Sequence, residues 1–159
     1  MANYIYPAPG VVGVQATLAL EISADATNDS LAIPSLQDIT VNAAQDIFTW
    51  TQLDAASKKQ IATTATNSLS MNLVLDQTSF FGDGISAAGT ASLKGIFGMS
   101  NDKDLVEFSL YLGDESNGNT GKTISGEGYI TGLAPTVSAD SPVWVSPITI
   151  TVDGNYTLT

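Results

Sequence analysis

Two pairs of carboxylates are the first candidates for chemistry in this chain. Glu107 and Glu127 sit on the outward parity of two strand-like runs, and Asp114 adjoins Glu115 in the glycine-rich stretch between those runs. Paired acids can divide general-acid and general-base work, as in glycoside hydrolysis. No aromatic cluster lies close enough in sequence to offer a sugar platform, and carboxylates on the outer face of strands are ordinarily solvated. The solvated reading is favoured. Asp114, Glu115, Asn117 and Asn119 gather the oxygens that hard cations prefer, but their spacing differs from the helix-flanked calcium loop, and a hairpin turn accounts for every residue. A serine or threonine nucleophile needs a base, and the chain has no histidine, which leaves only lysine. No glycine-rich phosphate loop is present. "NDS" at Asn28 and "NYT" at Asn155 fit the glycosylation triplet without a secretion signal to give it use. The expectation is a protein that is not an enzyme, with no catalytic residue, cofactor or metal.

Charge narrows the partners. Among 159 residues, 16 acids face 5 bases, for a net charge of -11. All the bases are lysines: Lys58, Lys59, Lys94, Lys103 and Lys122. Such a surface repels phosphate backbones, which argues against tight or sequence-specific nucleic-acid binding. Cysteine is absent, so disulfides and thiolate sites are excluded. The opening "MANYIYPAPGVVG" lacks a basic n-region and is interrupted by Pro7 and Pro9, so no signal peptide is expected. No apolar run is long enough to span a bilayer. A soluble intracellular product is the expectation, with residues 1–159 forming one domain and residues 1–11 an N-terminal arm.

The elements that must position any site follow a period of two. "VQATLALEI" puts Leu18, Leu20 and Ile22 on one face. "SADATNDSLAIPS" reads as turn-forming, and "LQDITVN" as a second strand around Ile39 and Val41. Residues 43–66 break the alternation and form a long loop or hairpin excursion, in which "LDAASKKQIA" has the composition of a short helix. "NSLSMNLVLD" turns Leu69, Met71, Leu73 and Leu75 inward, and the following "SFFGDGIS" ends that strand in a turn at Asp83 and Gly84. Ser86 as an N-cap, Leu93, Ile96 and Phe97 at helical spacing, and Gly98 as a stop predict a helix over 87–97. "DLVEFSLYLGD" faces Val106, Phe108, Leu110 and Leu112 inward and Glu107 outward. The last two strands place Ile124, Gly126, Gly128 and Ile130 on one face with Glu127 opposite, then Trp144, Ile148, Ile150 and Val152 on one face. The predicted fold is mainly β, a sandwich or barrel with one flanking helix.

The order of the later elements carries more than any one motif. The run from "DLVEFSLYLGD" through "SGEGYITGL", an acid-containing turn at Asp140 and the closing "ITVDGNYTL" resembles the C-terminal half of bacteriophage major tail tube proteins. The preceding "SAAGTASLKGIFG" helix and the 43–66 excursion occur in the same order, so the resemblance covers about two thirds of the chain. The N-terminal third matches only in general plan, and the arginines often found in such proteins are missing.

The resemblance implies homohexameric rings stacked into a hollow tail tube, a structural virion component through which DNA is ejected without specific binding. It also implies synthesis in the host cytoplasm and contacts with other tail proteins such as sheath, terminator, baseplate or tape measure. Within that frame, Phe48, Trp50 and Leu53 in the excursion are candidates for ring-to-ring contact, because aromatics anchor interfaces. An ordinary loop folded over its own core is an equal reading of them. Glu107 and Glu127 are candidates for the lumen wall. The other function class that fits a catalytically bare β fold is a binding module recognising a carbohydrate or protein ligand through its loops.

Overall fold

The structure is a computed structural model, and it describes residues 16–34, 36–54, 56–82, 89–113 and 121–159. The elements in chain order are β1 (Ala16–Ile22), β2 (Ser30–Ile33), β3 (Leu36–Asn42), β4 (Asp46–Trp50), β5 (Lys59–Thr63), β6 (Ser68–Val74), α1 (Gln77–Phe81), α2 (Ala91–Asp102), β7 (Leu105–Leu112), β8 (Lys122–Leu133) and β9 (Val145–Leu158). Seven strands form one antiparallel sheet in the order β2-β1-β7-β8-β9-β6-β3, and β4 pairs only with β5. The predicted mainly β class is correct.

The sheet curls because the chain joins its two edges. β2 and β3 are the outermost strands, yet Ile33 and Leu36 are three residues apart, at most about 11 Å along the chain. A seven-stranded sheet satisfies that link only by bending round towards closure, which gives a curled half-barrel. The concave side takes the alternate apolar residues foreseen from periodicity: Leu18, Leu20, Leu69, Leu73, Val106, Phe108, Leu110, Ile148 and Ile150 are all buried. Gly128 assists the bend, since a Cβ there would lie 2.4 Å from the Thr151 carbonyl oxygen on the neighbouring strand. One hydrophobic cluster runs through these strands and into both helices, where Phe80, Ile96 and Met99 join it.

The helical flank departs from the sequence reading. The chain after β6 does not end in a simple turn: Asp76 caps α1 by accepting from Thr78 and Ser79 N–H at 3.1 and 2.9 Å. The Asp83–Gly84 turn and the Ser86 cap lie outside the described residues. The second helix runs Ala91–Asp102 instead of 87–97, with Thr90 at its N-cap position. The carboxylate of Asp29, remote in sequence, serves its first turn by accepting from the Ser92 N–H and hydroxyl at 2.9 and 2.8 Å. Those hydrogen bonds, the backbone one foremost, hold the Asp29 carboxyl below the usual carboxylate range. Gly98 lies inside the helix, and the true break is Gly95, whose φ of 63° interrupts the helical geometry. Gly95 meets Gly82, itself at φ 74°, so closely that a Cβ on either would sit 2.4 Å or less from the other segment's backbone. Phe97 consequently turns outward and is 48% exposed, while Ile96 is buried.

Three further expectations fail for local reasons. Residues 59–62, read as the end of a short helix, lie in β5, because pairing with β4 satisfies their backbone. "SLAI" within the supposed turn region is β2, a four-residue edge strand too short to show a period. Trp144 has the parity of the buried face but precedes β9, and Ser146 takes the next buried position.

Candidate assembly surfaces

The 43–66 excursion is a hairpin that belongs to no core. Its pairing places Phe48 opposite Ile61 and Trp50 opposite Lys59 on one face, with Ile47 opposite Ala62 on the other. Phe48 and Trp50 stack at a centroid distance of 6.0 Å and an interplanar angle of 24°. Every residue of the two strands except Trp50 is exposed, including Ile47, Phe48 and Ile61, and Leu53 near the tip stands fully in water. Isolated two-stranded hairpins are marginal in water, and this one leaves apolar residues open on both faces. The base is fixed more firmly than the tip. The Tyr156 hydroxyl lies 2.8 Å from the Asn42 carbonyl and 3.0 Å from that of Ser68, and Asn67 Oδ1 accepts from Ala44 N–H at 3.0 Å. Partial burial raises the Tyr156 pKa above its ordinary value.

Glu107 and Glu127 come together. They are directly opposed in the β7–β8 ladder, and the same row continues to Glu21 on β1 and Asp153 on β9. Four acids therefore cross four adjacent strands on the outer face, spanning about 14 Å at the usual strand spacing. Short polar or small residues flank them: Ala19, Ser109, Ser125 and Thr157 form the next row and line a shallow groove with the glutamates. None of the five lysines stands on this face. Lys58 and Lys59 are at the hairpin, Lys94 is held by Asp102 and Asp104 at 3.0 and 2.7 Å, Lys103 ends α2, and Lys122 pairs with Leu112 in a row of the other parity. Among the described residues no three acids converge to hold a metal ion. The row is a line of negative charge across four strands. Periodicity showed Glu107 and Glu127 facing outward; Glu21 and Asp153 were missed because only the strand order β1-β7-β8-β9 aligns them. Asp114, Glu115, Asn117 and Asn119 lie outside the described residues.

No protein-family model matches the chain, and no curated protein matches it by sequence. Solved structures do. A chain from the PVC sheath/tube terminator of an extracellular contractile injection system, in the extended state, matches with TM-score 0.57 at 13% identity over 97% of both chains. A chain from the tail of an empty GTA particle, refined with C6 symmetry, gives 0.58 at 14% identity over 89% of this chain and 95% of that one. A chain from the 6-fold symmetrised anti-feeding prophage baseplate gives 0.60 at 8% identity over 96% and 97%. At such identities what is shared is the fold.

Proposed function

We propose that this protein is a structural tube subunit: it self-associates into hexameric rings, and the rings stack into a hollow tail tube that conducts DNA. The observation that carries the reading is the β4–β5 hairpin, which exposes Ile47, Phe48, Leu53 and Ile61 while adding nothing to the core of its own chain. Open strand edges at β2 and β3 supply a second unsatisfied surface, which neighbouring copies close by lateral packing. Phe48, Trp50 and Leu53 then form the ring-to-ring contact. Glu21, Glu107, Glu127 and Asp153 face the channel, where like charge keeps passing phosphates off the wall. In a particle, the tube meets other tail components such as sheath, terminator, baseplate or tape measure.

Electron microscopy of the purified chain over a range of concentrations tests this. Annular particles and tubes with a central hole are expected. A chain that stays monomeric at every concentration and salt overturns the reading and favours a monomeric binding module.

A further inference from the structure

The hairpin has a counterpart at the other end of the strands that carry it. The chain leaves β3 at Asn42 and returns to β6 at Ser68, which pairs with Thr151 of β9. Six residues along the same ladder, about 20 Å away at the rise of a strand, Val74 pairs with Val145. There the connection between β8 and β9, residues 134–144, is pinned to the sheet. Thr136 bridges to Val145, and the Leu75 N–H donates to the Trp144 carbonyl at 2.8 Å. This pinned connection holds Val137, Val143 and Trp144 in water, 64%, 45% and 50% exposed.

Charge matches as well as polarity. Lys58 and Lys59 lie on the hairpin, two of only five bases in the chain, and they form no ion pair among the described residues. The 134–144 connection carries the exposed Asp140, which likewise forms no ion pair among the described residues. The hairpin also carries Asp46 and Asp54, so its formal charge is balanced and the match is local: the adjacent Lys58 and Lys59 beside exposed apolar side chains at one end, Asp140 beside exposed apolar side chains at the other. A head-to-tail contact of that kind builds an open stack where its rotation does not close a ring.

We propose that the hairpin of one copy docks on the 134–144 connection of a second copy, with Phe48, Trp50 and Ile61 covering Val137, Val143 and Trp144, and Lys58 and Lys59 set against Asp140. The proposal rests on the tube reading and names the surface that receives its hairpin. Trp144 is the anchor, and the lysine–aspartate pairing sets the register.

The absence of cysteine makes the test clean. Ile61→Cys and Val143→Cys full-length variants, assembled separately, mixed and mildly oxidised, are expected to yield a mixed cross-linked dimer far in excess of that from either variant alone. Trp50→Ala and Trp144→Ala are each expected to weaken stacking on the order of tenfold or more. Rings of the two variants, prepared separately and mixed, should form ring pairs and stop there, since one sound interface is restored and the other is doubly damaged. Abundant cross-linking of Ile61→Cys with itself, or undiminished stacking by a natively melting Trp144→Ala chain, overturns the proposal. Should Trp144→Ala melt early, the charge exchange decides: Asp140→Lys must weaken stacking, and Lys58→Asp with Lys59→Asp in the same chain must restore it. Failure of the unaltered chain to form any assembly refutes the tube reading itself, a result distinct from all of these.

Discussion

Phe48→Ala should cripple assembly while leaving the fold nearly untouched. Phe48 leaves 59% of its surface in water in the single chain. For a ring residue of roughly 200 Å², about 120 Å² is open to a partner, which is about 3 kcal/mol of burial at about 25 cal/mol per Å². The cost of ordering side chains at an interface reduces the surplus to about 2 kcal/mol per contact, or about thirtyfold in affinity. Within its own chain the ring stacks on Trp50 and stands opposite Ile61 across the strand pair, and such pairs contribute about 0.2–1 kcal/mol. Leu73→Ala is the contrast, since Leu73 is fully buried and its truncation costs roughly 2–5 kcal/mol of folding stability. Sedimentation velocity across concentrations reads assembly, and urea denaturation of the dissociated chain reads folding. The reasoning is wrong if Phe48→Ala lowers the urea midpoint as far as Leu73→Ala does, or if the concentration needed for assembly does not change.

Three other outcomes are expected. Glu107→Lys with Glu127→Lys should leave tubes assembling but make them retain DNA at low salt, with release as salt rises; free passage through well-formed tubes at low salt removes this face from the channel wall. Gly95→Ala should destabilise the helical flank severely, because the added Cβ meets the Gly82 backbone at 2.4 Å and the φ of 63° disfavours any side chain; a melting temperature within a degree or two of the parent's refutes the crossing. Asp29 and Asp76, both below the usual carboxylate range because backbone N–H groups of Ser92 and Ser79 bind them, contribute stability that is complete above about pH 4 and is lost as pH falls through their lowered values. Asp29→Ala should therefore cost about 1 kcal/mol at neutral pH and flatten the acid limb of the stability profile, and an unchanged limb counts against the cap.

What the sequence disclosed was whatever a period of two can carry. β1, β3, β6, β7, β8 and β9 each have seven or more residues, enough for alternation to show, and their inward faces were read correctly from Leu18 to Val152. β2 has four residues, too few for alternation to stand out. β4 and β5 escape the pattern for a deeper reason. A strand is legible because one face is buried, and this hairpin buries neither face in its own chain, so threonine, lysine and aromatics mix without period. The helix was displaced because Gly98 is the obvious stop, whereas the structural break is Gly95, dictated by its meeting with Gly82 thirteen positions earlier. Of the candidate site, individual outward acids were visible. Their alignment was not, since register across β1, β7, β8 and β9 is a property of the sheet and of no single strand.

That alignment has a cost that discriminates between readings. Like charges directly opposed on neighbouring strands destabilise a sheet by an amount of the order of the 0.2–1 kcal/mol that favourable pairs contribute. Here there are three such adjacencies in one row: Glu21 with Glu107, Glu107 with Glu127, and Glu127 with Asp153. No lysine stands on the face to relieve them, although the chain places Lys94 between two aspartates elsewhere. In the row beside the acids, Ser109, Ser125 and Thr157 follow Ala19, so neutral small and polar residues fit this surface on the same four strands. A sheet face that merely meets water gains nothing from concentrating acid in one line. A face that phosphates must pass without adhering gains a continuous repulsive band, and screening confines its reach to about 10 Å at ordinary salt, short enough to matter only inside a narrow passage. The buried parity of the same strands offsets the cost, with Val106, Phe108, Ile150 and Val152 packed beneath the acids. On the tube reading, the strain in the row and the order in the core are two faces of the same four strands.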